Sequence, residues 1–523
     1  MYAALKGGPT RLVWLAAALA CGDPGGGDGP GGGSNPDWDQ CRTEDADGDG
    51  TADAIEVALG TDPGDPADDP DARGMVVFVM PYEAPPEPTS HDLALDVRLS
   101  RADVGILLDT TGSMAGTVFR IGDHLEGLVT MLAAEVDDLA FGAAGYGDIP
   151  MDDGANSYAD VPFYLVHRIM TAKTEAGLRS IVRSFQVRNI ITDGVGPWFA
   201  QMRGGDEPEQ GWEALRQAAT GVGLLYPNEW SGRTQEVPAF DPETAHPSPP
   251  VDGEEVGARG GLGFRDDALP ILIQITDTEH HDQPVAETTP ALASREVAFD
   301  ALAEIGAKVV GNMAWKLTGH ADLVAVAKAT GARVPPTTWG SGSERPANCP
   351  EDRCCLVGED PDTGWEETQP EPDPDGLCTL VFQSDRYDTN LGEMMARAVL
   401  AIARAGRFAV SAVLRDDPDD GLDVAAAFDA RVEALALGDC FGQDAVDSDG
   451  DGAADTFSDL ASGSRACFRV SAGSNTSVEP ESAARAYRAI LRVTGDGVAA
   501  FSAQEVWFVV PGTTCEGDPD AVE

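Results

Sequence analysis

Between residues 98 and 405 short apolar runs alternate with longer stretches whose apolar residues recur at helical spacing, and this alternation constrains the fold more than any other feature. The runs lie at 104–108, 139–145, 163–170, 270–276 and 308–314. The helical patterns fall at 118–135, 173–185, 209–220, 293–306, 321–330 and 391–405. Runs with so few polar residues are buried on both faces, so the pattern predicts an α/β fold: a doubly wound, mainly parallel sheet with helices on either side. Insertions at 227–263, rich in Pro, Gly and Glu, and at 340–379, holding four cysteines, interrupt it. After 406 the apolar period becomes two, at 407–415, 466–472, 486–493 and 505–511, which predicts a sandwich-like antiparallel β domain over 406–516.

The beginning of the chain has a different character. Lys6 and Arg11 precede an apolar run over 12–20 that ends at Cys21, the layout of a secretory signal. Ala18-Leu19-Ala20-Cys21 resembles a bacterial lipobox, which implies lipidation at Cys21 and anchoring at an outer membrane or cell surface. Cleavage after Ala20 without lipidation stays open. Residues 22–36 are nearly all Gly, Pro and small polar residues and read as a flexible tether, and 81–90 as a Pro-rich hinge.

The 523 residues carry 35 Lys plus Arg against 89 Asp plus Glu, a formal charge of −54. Such a chain repels polyanions, so nucleic acid is excluded as a partner class. Without Cys21, eight of the 9 cysteines are left: Cys41, Cys349, Cys354, Cys355, Cys378, Cys440, Cys467 and Cys515. In an exported chain they suit disulfide bonds, with zinc as the alternative.

Directly after the first apolar run stands Asp109-Thr110-Thr111-Gly112-Ser113. A carboxylate and two hydroxyls at alternate positions, at the carboxyl end of a strand, offer hard oxygen ligands that suit Mg²⁺. Asp206-Glu207-Pro208-Glu209 and Thr276-Asp277 stand where two further loops should reach the same edge. This set resembles the von Willebrand factor A domain with its metal-ion-dependent adhesion site (MIDAS), and its middle segment is similar to the integrin beta-subunit version. The resemblance implies that Asp109, Thr111, Ser113, Glu209 and Asp277 hold Mg²⁺ and that a partner's carboxylate completes the coordination. It leaves a second site open, with Asp206, the Pro208 carbonyl, Glu209 and Asp148, although Gly204 replaces the family's Asn. It gives no third site, because Ala115-Gly116-Thr117 replaces an acidic pair.

Residues 45–56 place Asp45, Asp47, Asp49, Thr51, Asp53 and Glu56 with Gly50 at the sixth position, the spacing of an EF-hand-type Ca²⁺ loop. With the Asp-Pro steps beyond the loop, 45–69 resembles a thrombospondin type-3 repeat, within an acidic block over 37–73 that reads as a calcium-binding repeat. A second copy, Asp447, Asp449, Asp451 and Asp455, has Ser458 at the twelfth position instead of Glu. No Gly-Lys pair, HExxH or GxSxG occurs, and His280 with His281 is the one zinc-like pair near the site. The expectation is therefore a non-enzymatic, exported binding protein that takes a protein or matrix ligand in adhesion or surface assembly. The alternatives are an accessory subunit of a surface hydrolase or secretion complex and, further off, a zinc hydrolase.

Overall fold

The computed structural model describes residues 44–132, 136–150, 159–204, 207–244, 248–282, 292–314, 318–340, 352, 355, 371–384, 391–436, 445–448, 450 and 452–514. Cys21, the tether, Asp206, Asp449 and Asp451 lie outside them, as do Cys41, Cys349, Cys354, Cys440 and Cys515.

A six-stranded sheet runs in the order Val381–Gln383, Lys308–Met313, Leu269–Thr276, Arg101–Asp109, Asp138–Tyr146, Tyr164–Thr171. The first five are parallel, and the Tyr164–Thr171 edge strand is antiparallel to its neighbour. All eight residues of Leu269–Thr276 are buried, as a central parallel strand requires. Alternate side chains go to opposite faces. Ile106, Leu108, Ile273 and Ile275 join Val118, Ile121 and Val399 in one cluster, whereas Leu107 and Leu272 join Trp212, Leu215 and Leu302 in another. The helices Ala115–Leu132 and Leu391–Ala405 thus cover one face, and Gly211–Thr220 and Arg295–Glu304 the other.

A second layer pair contains a six-stranded sheet ordered Val76–Val79, Ala499–Val510, Arg485–Gly495, Arg407–Asp416, Thr456–Ala461, Ala445–Val446, and a three-stranded sheet of Arg431–Ala434, Ser464–Ser471 and Ser90–Val97. Phe457 and Phe468, one from each sheet, meet edge-on at 5.6 Å. The segment over 406–516 is thus joined by two strands that precede the α/β unit, Val76–Val79 against Val506–Val509 and Ser90–Val97 against Ser464–Ser471. The α/β unit is inserted into the sandwich between its second strand and the rest.

The Pro-rich stretch over 81–90 is pinned to the sandwich. Asn475 is fully buried and donates to the carbonyls of Met80 (3.0 Å) and Val478 (2.9 Å), and Glu83 N–H donates to the Asn475 carbonyl at 2.7 Å. Asn475 is also the acceptor residue of an Asn-Thr-Ser sequon, and its burial closes that position to glycosylation.

The two units share one hydrophobic cluster, from Val104 and Ile273 through Ile402 to Phe408, Val493 and Phe508. At the chain's passage between them a Cβ on Gly406 would lie 2.5 Å from the Ile402 carbonyl oxygen, so only glycine admits this close approach. Lys308 reaches Asp496 at 2.7 Å, and Arg492 reaches Asp267 at 2.7 Å. Cys355 and Cys378 form a disulfide, and Cys467 is also disulfide-bonded. Among the described residues no helix is long and apolar enough to cross a membrane.

Candidate metal centre

The chain leaves the carboxyl end of Arg101–Asp109 toward Asp138–Tyr146 on one side, and Leu269–Thr276 returns on the other. This reversal of strand order opens a crevice at the sheet edge, where ligands of such folds bind. Asp109 ends the first strand and Asp277 follows the third, and both are fully buried.

Asp109 Oδ1 accepts from the Thr111 backbone N–H (2.9 Å) and hydroxyl (2.7 Å), and Oδ2 accepts from the Thr276 hydroxyl (2.8 Å). Ser113 Oγ lies 3.5 Å from Thr111 Oγ1 and donates to Asp277 Oδ1 at 3.0 Å. Ser113 is exposed while Asp109, Thr111 and Asp277 are buried, so the cluster reaches solvent at the Ser113 side. Burial is the main force on the Asp109 carboxyl and, with the negative charge of Asp277 adding, pushes it up to about 6 against the Thr111 and Thr276 hydrogen bonds.

A loop from a different part of the chain brings Glu209. Its N–H donates to the Glu279 carbonyl at 3.0 Å, and its own carbonyl accepts from His281 N–H at 2.8 Å, so the turn after Asp277 holds it in register. The segment before it is fastened to the first loop by Gly112 N–H donating to the Arg203 carbonyl (2.9 Å) and Met202 N–H to the Thr110 carbonyl (2.8 Å). Gly204 has a φ of +46°, and a Cβ there would come 2.6 Å from Thr111 Cβ and 2.9 Å from Glu209 Oε1. Glycine at this point lets the Glu209 loop close onto Thr111, where the resembled family carries Asn.

The first five expected positions therefore meet at one edge. Asp148 is drawn to the same loop through Gln210, whose side-chain N–H donates to Asp148 Oδ1 at 3.0 Å, and that oxygen also accepts from Ile149 N–H at 2.7 Å. Pro208 precedes Glu209 in this loop, and Asp206 lies outside the described residues.

Both ring nitrogens of His280 are buried without a hydrogen-bond partner. Its ring is buried against Trp212 at 4.8 Å, edge-on, and burial pushes it down to about 4, so it is neutral near pH 7. Its backbone N–H donates to Asp322 Oδ2 at 2.8 Å. The His280 ring thus packs on Trp212, and the His281 backbone N–H helps hold the Glu209 loop in register.

Two contributors escape a sequence reading. Thr276 is signalled only by its place beside Asp277. Asp160 has no motif at all, yet its buried carboxylate accepts from the N–H groups of Arg203 and Gly204, each at 3.1 Å, and so sets the loop against Thr111. Asp160→Asn leaves one acceptor oxygen for two donors, and the affinity for a divalent cation held at this edge is expected to fall on the order of tenfold, as for other residues that orient ligands. A calorimetric titration with unchanged affinity would remove Asp160 from this role.

The acidic loop at 45–56 is folded around its own carboxylates. Asp45 accepts from Gly48 N–H (2.6 Å) and Gly50 N–H (3.1 Å), and Asp53 accepts from Ala46 N–H (2.8 Å). Asp47 and Asp49 accept from Asp49 N–H (3.2 Å) and Thr51 N–H (2.7 Å). One oxygen each of Asp47, Asp49 and Glu56 is buried without a hydrogen-bond partner. Oxygens of Asp45, Asp47 and Asp49 lie within 4.8 Å of one another, a spacing that suits Ca²⁺. Burial, then the charges of Asp49 and Asp47, pushes Glu56 up to about 7.

The loop at 447–455 repeats the pattern position by position: Asp447 accepts from Gly450 (2.6 Å) and Gly452 (2.9 Å), and Asp455 from Ser448 N–H (3.1 Å). The chain continues from it into the strand Thr456–Ala461, so position twelve, Ser458, stands on a strand, whereas Glu56 stands on the helix Asp53–Leu59.

No model of a known protein family matches the chain, and no curated protein matches it. Among solved structures it is similar to proximal thread matrix protein 1 from the mussel byssus, at 10% identity and a TM-score of 0.28 over 59% of this chain and 48% of that one. A further structure of that matrix protein, at 9% identity and the same TM-score, is described with a zinc-occupied MIDAS motif. The chain is also similar to the pilus adhesin SpaC from Lactobacillus rhamnosus GG in its open conformation, at 10% identity and a TM-score of 0.28 over 81% of this chain and 46% of that one. The chain spans about half the length of the structures it matches.

Proposed function

We propose that the chain is an exported surface protein that binds protein or matrix ligands through a divalent cation at a MIDAS, in a von Willebrand factor A unit carried by a β-sandwich. The observation that carries this reading is the meeting of Asp109, Thr111, Ser113, Glu209 and Asp277 at the switch point of a parallel sheet. Every donor is an oxygen, which suits Mg²⁺. Two buried carboxylates side by side would be stabilised by a cation between them.

When bound, the cation supplies an electrophilic position for a carboxylate of the partner. The chain's own residues hold the donors in place: Thr276 and the Thr111 N–H orient Asp109, Ser113 lines the exposed side, and Gly204 allows the Glu209 loop to approach. The activity is binding without turnover, with Ca²⁺ in the loop at 45–56 and the one at 447–455 as a structural ion. Lipidation at Cys21 belongs to the same reading.

Retention of surface-extract ligands on the immobilised protein is expected to require Mg²⁺ and to fall at least tenfold in Asp109→Ala. Retention that survives both chelator and the substitution would sink the proposal.

A further inference from the structure

The acidic loop is anchored to the sandwich by the helix at its end. The helix Asp53–Leu59 that completes it buries Ile55, Ala58 and Leu59, with Ala52 just before it, against Ala484 and Val509, in contact with Val77, Val79, Ala486 and Trp507. These sandwich residues form the outer face of the six-stranded sheet: their neighbours Phe78, Val506 and Phe508 point into the core. Seven residues are too few for a helix to persist alone in water. Its order therefore comes from this docking and from whatever satisfies the loop at its start.

Glu56 connects the two. It stands on the docked helix with no exposed surface, and one of its carboxylate oxygens has no partner. The unpartnered oxygens of Asp47 and Asp49 belong to the same loop. Docking without a cation buries the Glu56 charge beside two others of the same sign, which opposes burial. A Ca²⁺ ion held by Asp45, Asp47, Asp49 and Glu56 removes that opposition, and through linkage docking must strengthen Ca²⁺ binding by the same factor.

We propose that the loop at 45–56 is a calcium-operated latch: Ca²⁺ holds the Asp53–Leu59 helix on the outer face of the sandwich, and its loss frees the helix and uncovers an apolar patch centred on Val77, Trp507 and Val509. The proposal rests on the Ca²⁺ reading of this loop.

The test uses the full chain with Mg²⁺ held constant. Hydrogen exchange of the 53–59 amides should quicken at least tenfold in a calcium chelator, an apolar dye should gain a binding site, and added Ca²⁺ should reverse both. Glu56→Gln removes the buried charge and keeps the shape. It should bind Ca²⁺ at least tenfold more weakly by calorimetry and keep the helix docked in chelator. Ile55→Asp should show fast exchange and dye binding with or without Ca²⁺. If the wild type binds Ca²⁺ at this loop but exchange and dye signal do not respond, the latch is overturned and the Ca²⁺ reading stands. If the wild type and Glu56→Gln bind Ca²⁺ equally, Glu56 is not a ligand and the latch is overturned; if the wild type binds no Ca²⁺ at this loop, the Ca²⁺ reading fails and the latch with it.

Discussion

Asp109→Asn is expected to make the metal-free protein more stable while abolishing its response to Mg²⁺. Asp109 is fully buried, and its carboxyl is raised from 3.8 to about 6. The folded state thus holds this proton more tightly than the unfolded state. In the metal-free protein its contribution is most favourable below about pH 4 and is lost as pH rises through about 6. A shift of this size corresponds to roughly 3 kcal/mol at pH 7 or above, an order-of-magnitude figure.

Asn keeps an acceptor for the Thr111 N–H and hydroxyl and carries no charge. The melting temperature of Asp109→Asn in chelator should therefore exceed that of the wild type at pH 8, and the two should converge toward pH 4. With Mg²⁺ the order should reverse, because only the wild type gains binding free energy. A variant that is less stable than the wild type in chelator at pH 8 would mean that the carboxylate is not strained there.

The second large effect lies at the opposite end of the same strand. Arg265 and Asp103 pair at 2.7 Å with almost no exposed surface. Arg265 also reaches Asp138 at 2.7 Å, and its backbone N–H donates to Asp103 Oδ2 at 2.6 Å. Arg265→Met should cost about 3–5 kcal/mol, because it leaves the Asp103 charge buried and uncompensated. The double variant Asp103→Asn/Arg265→Met should recover a good part of that loss, since the stranded charge is gone while the side-chain acceptor for the backbone N–H is kept. Urea unfolding of Arg265→Met, Asp103→Asn and the double variant decides the matter, and additive losses would refute it.

How much of this is legible in the sequence depends on whether the signal is local. The five apolar runs and six helical patterns reappear within a few residues, for example 270–276 against Leu269–Thr276 and 391–405 against Leu391–Ala405. Burial on both faces leaves a continuous apolar run, and burial on one stripe leaves a period, so both are written in the chain. Val381–Gln383 escapes such a reading because three residues carry no period. Ser90–Val97 escapes it because one of its faces is polar and its partner strand lies more than 360 residues away.

The candidate site divides in the same way. Asp109, Thr111 and Ser113 announce themselves because alternating oxygens follow a strand within one short turn. Asp160 does not, because two backbone N–H groups 43 and 44 residues away make it necessary, and nothing about Asp160 in the chain marks those donors. The sequence by itself determined the α/β alternation, the oxygen chemistry of the motif and the spacing of both acidic loops, all of which depend on near neighbours. Only the tertiary structure decided that the α/β unit sits inside the sandwich and that Ile55, Ala58 and Leu59 place their helix on a sheet face. It also decided that Gly204 lets the Glu209 loop close on Thr111. Contacts between distant segments are selected by the shape and charge of both partners together, and neither partner alone records them.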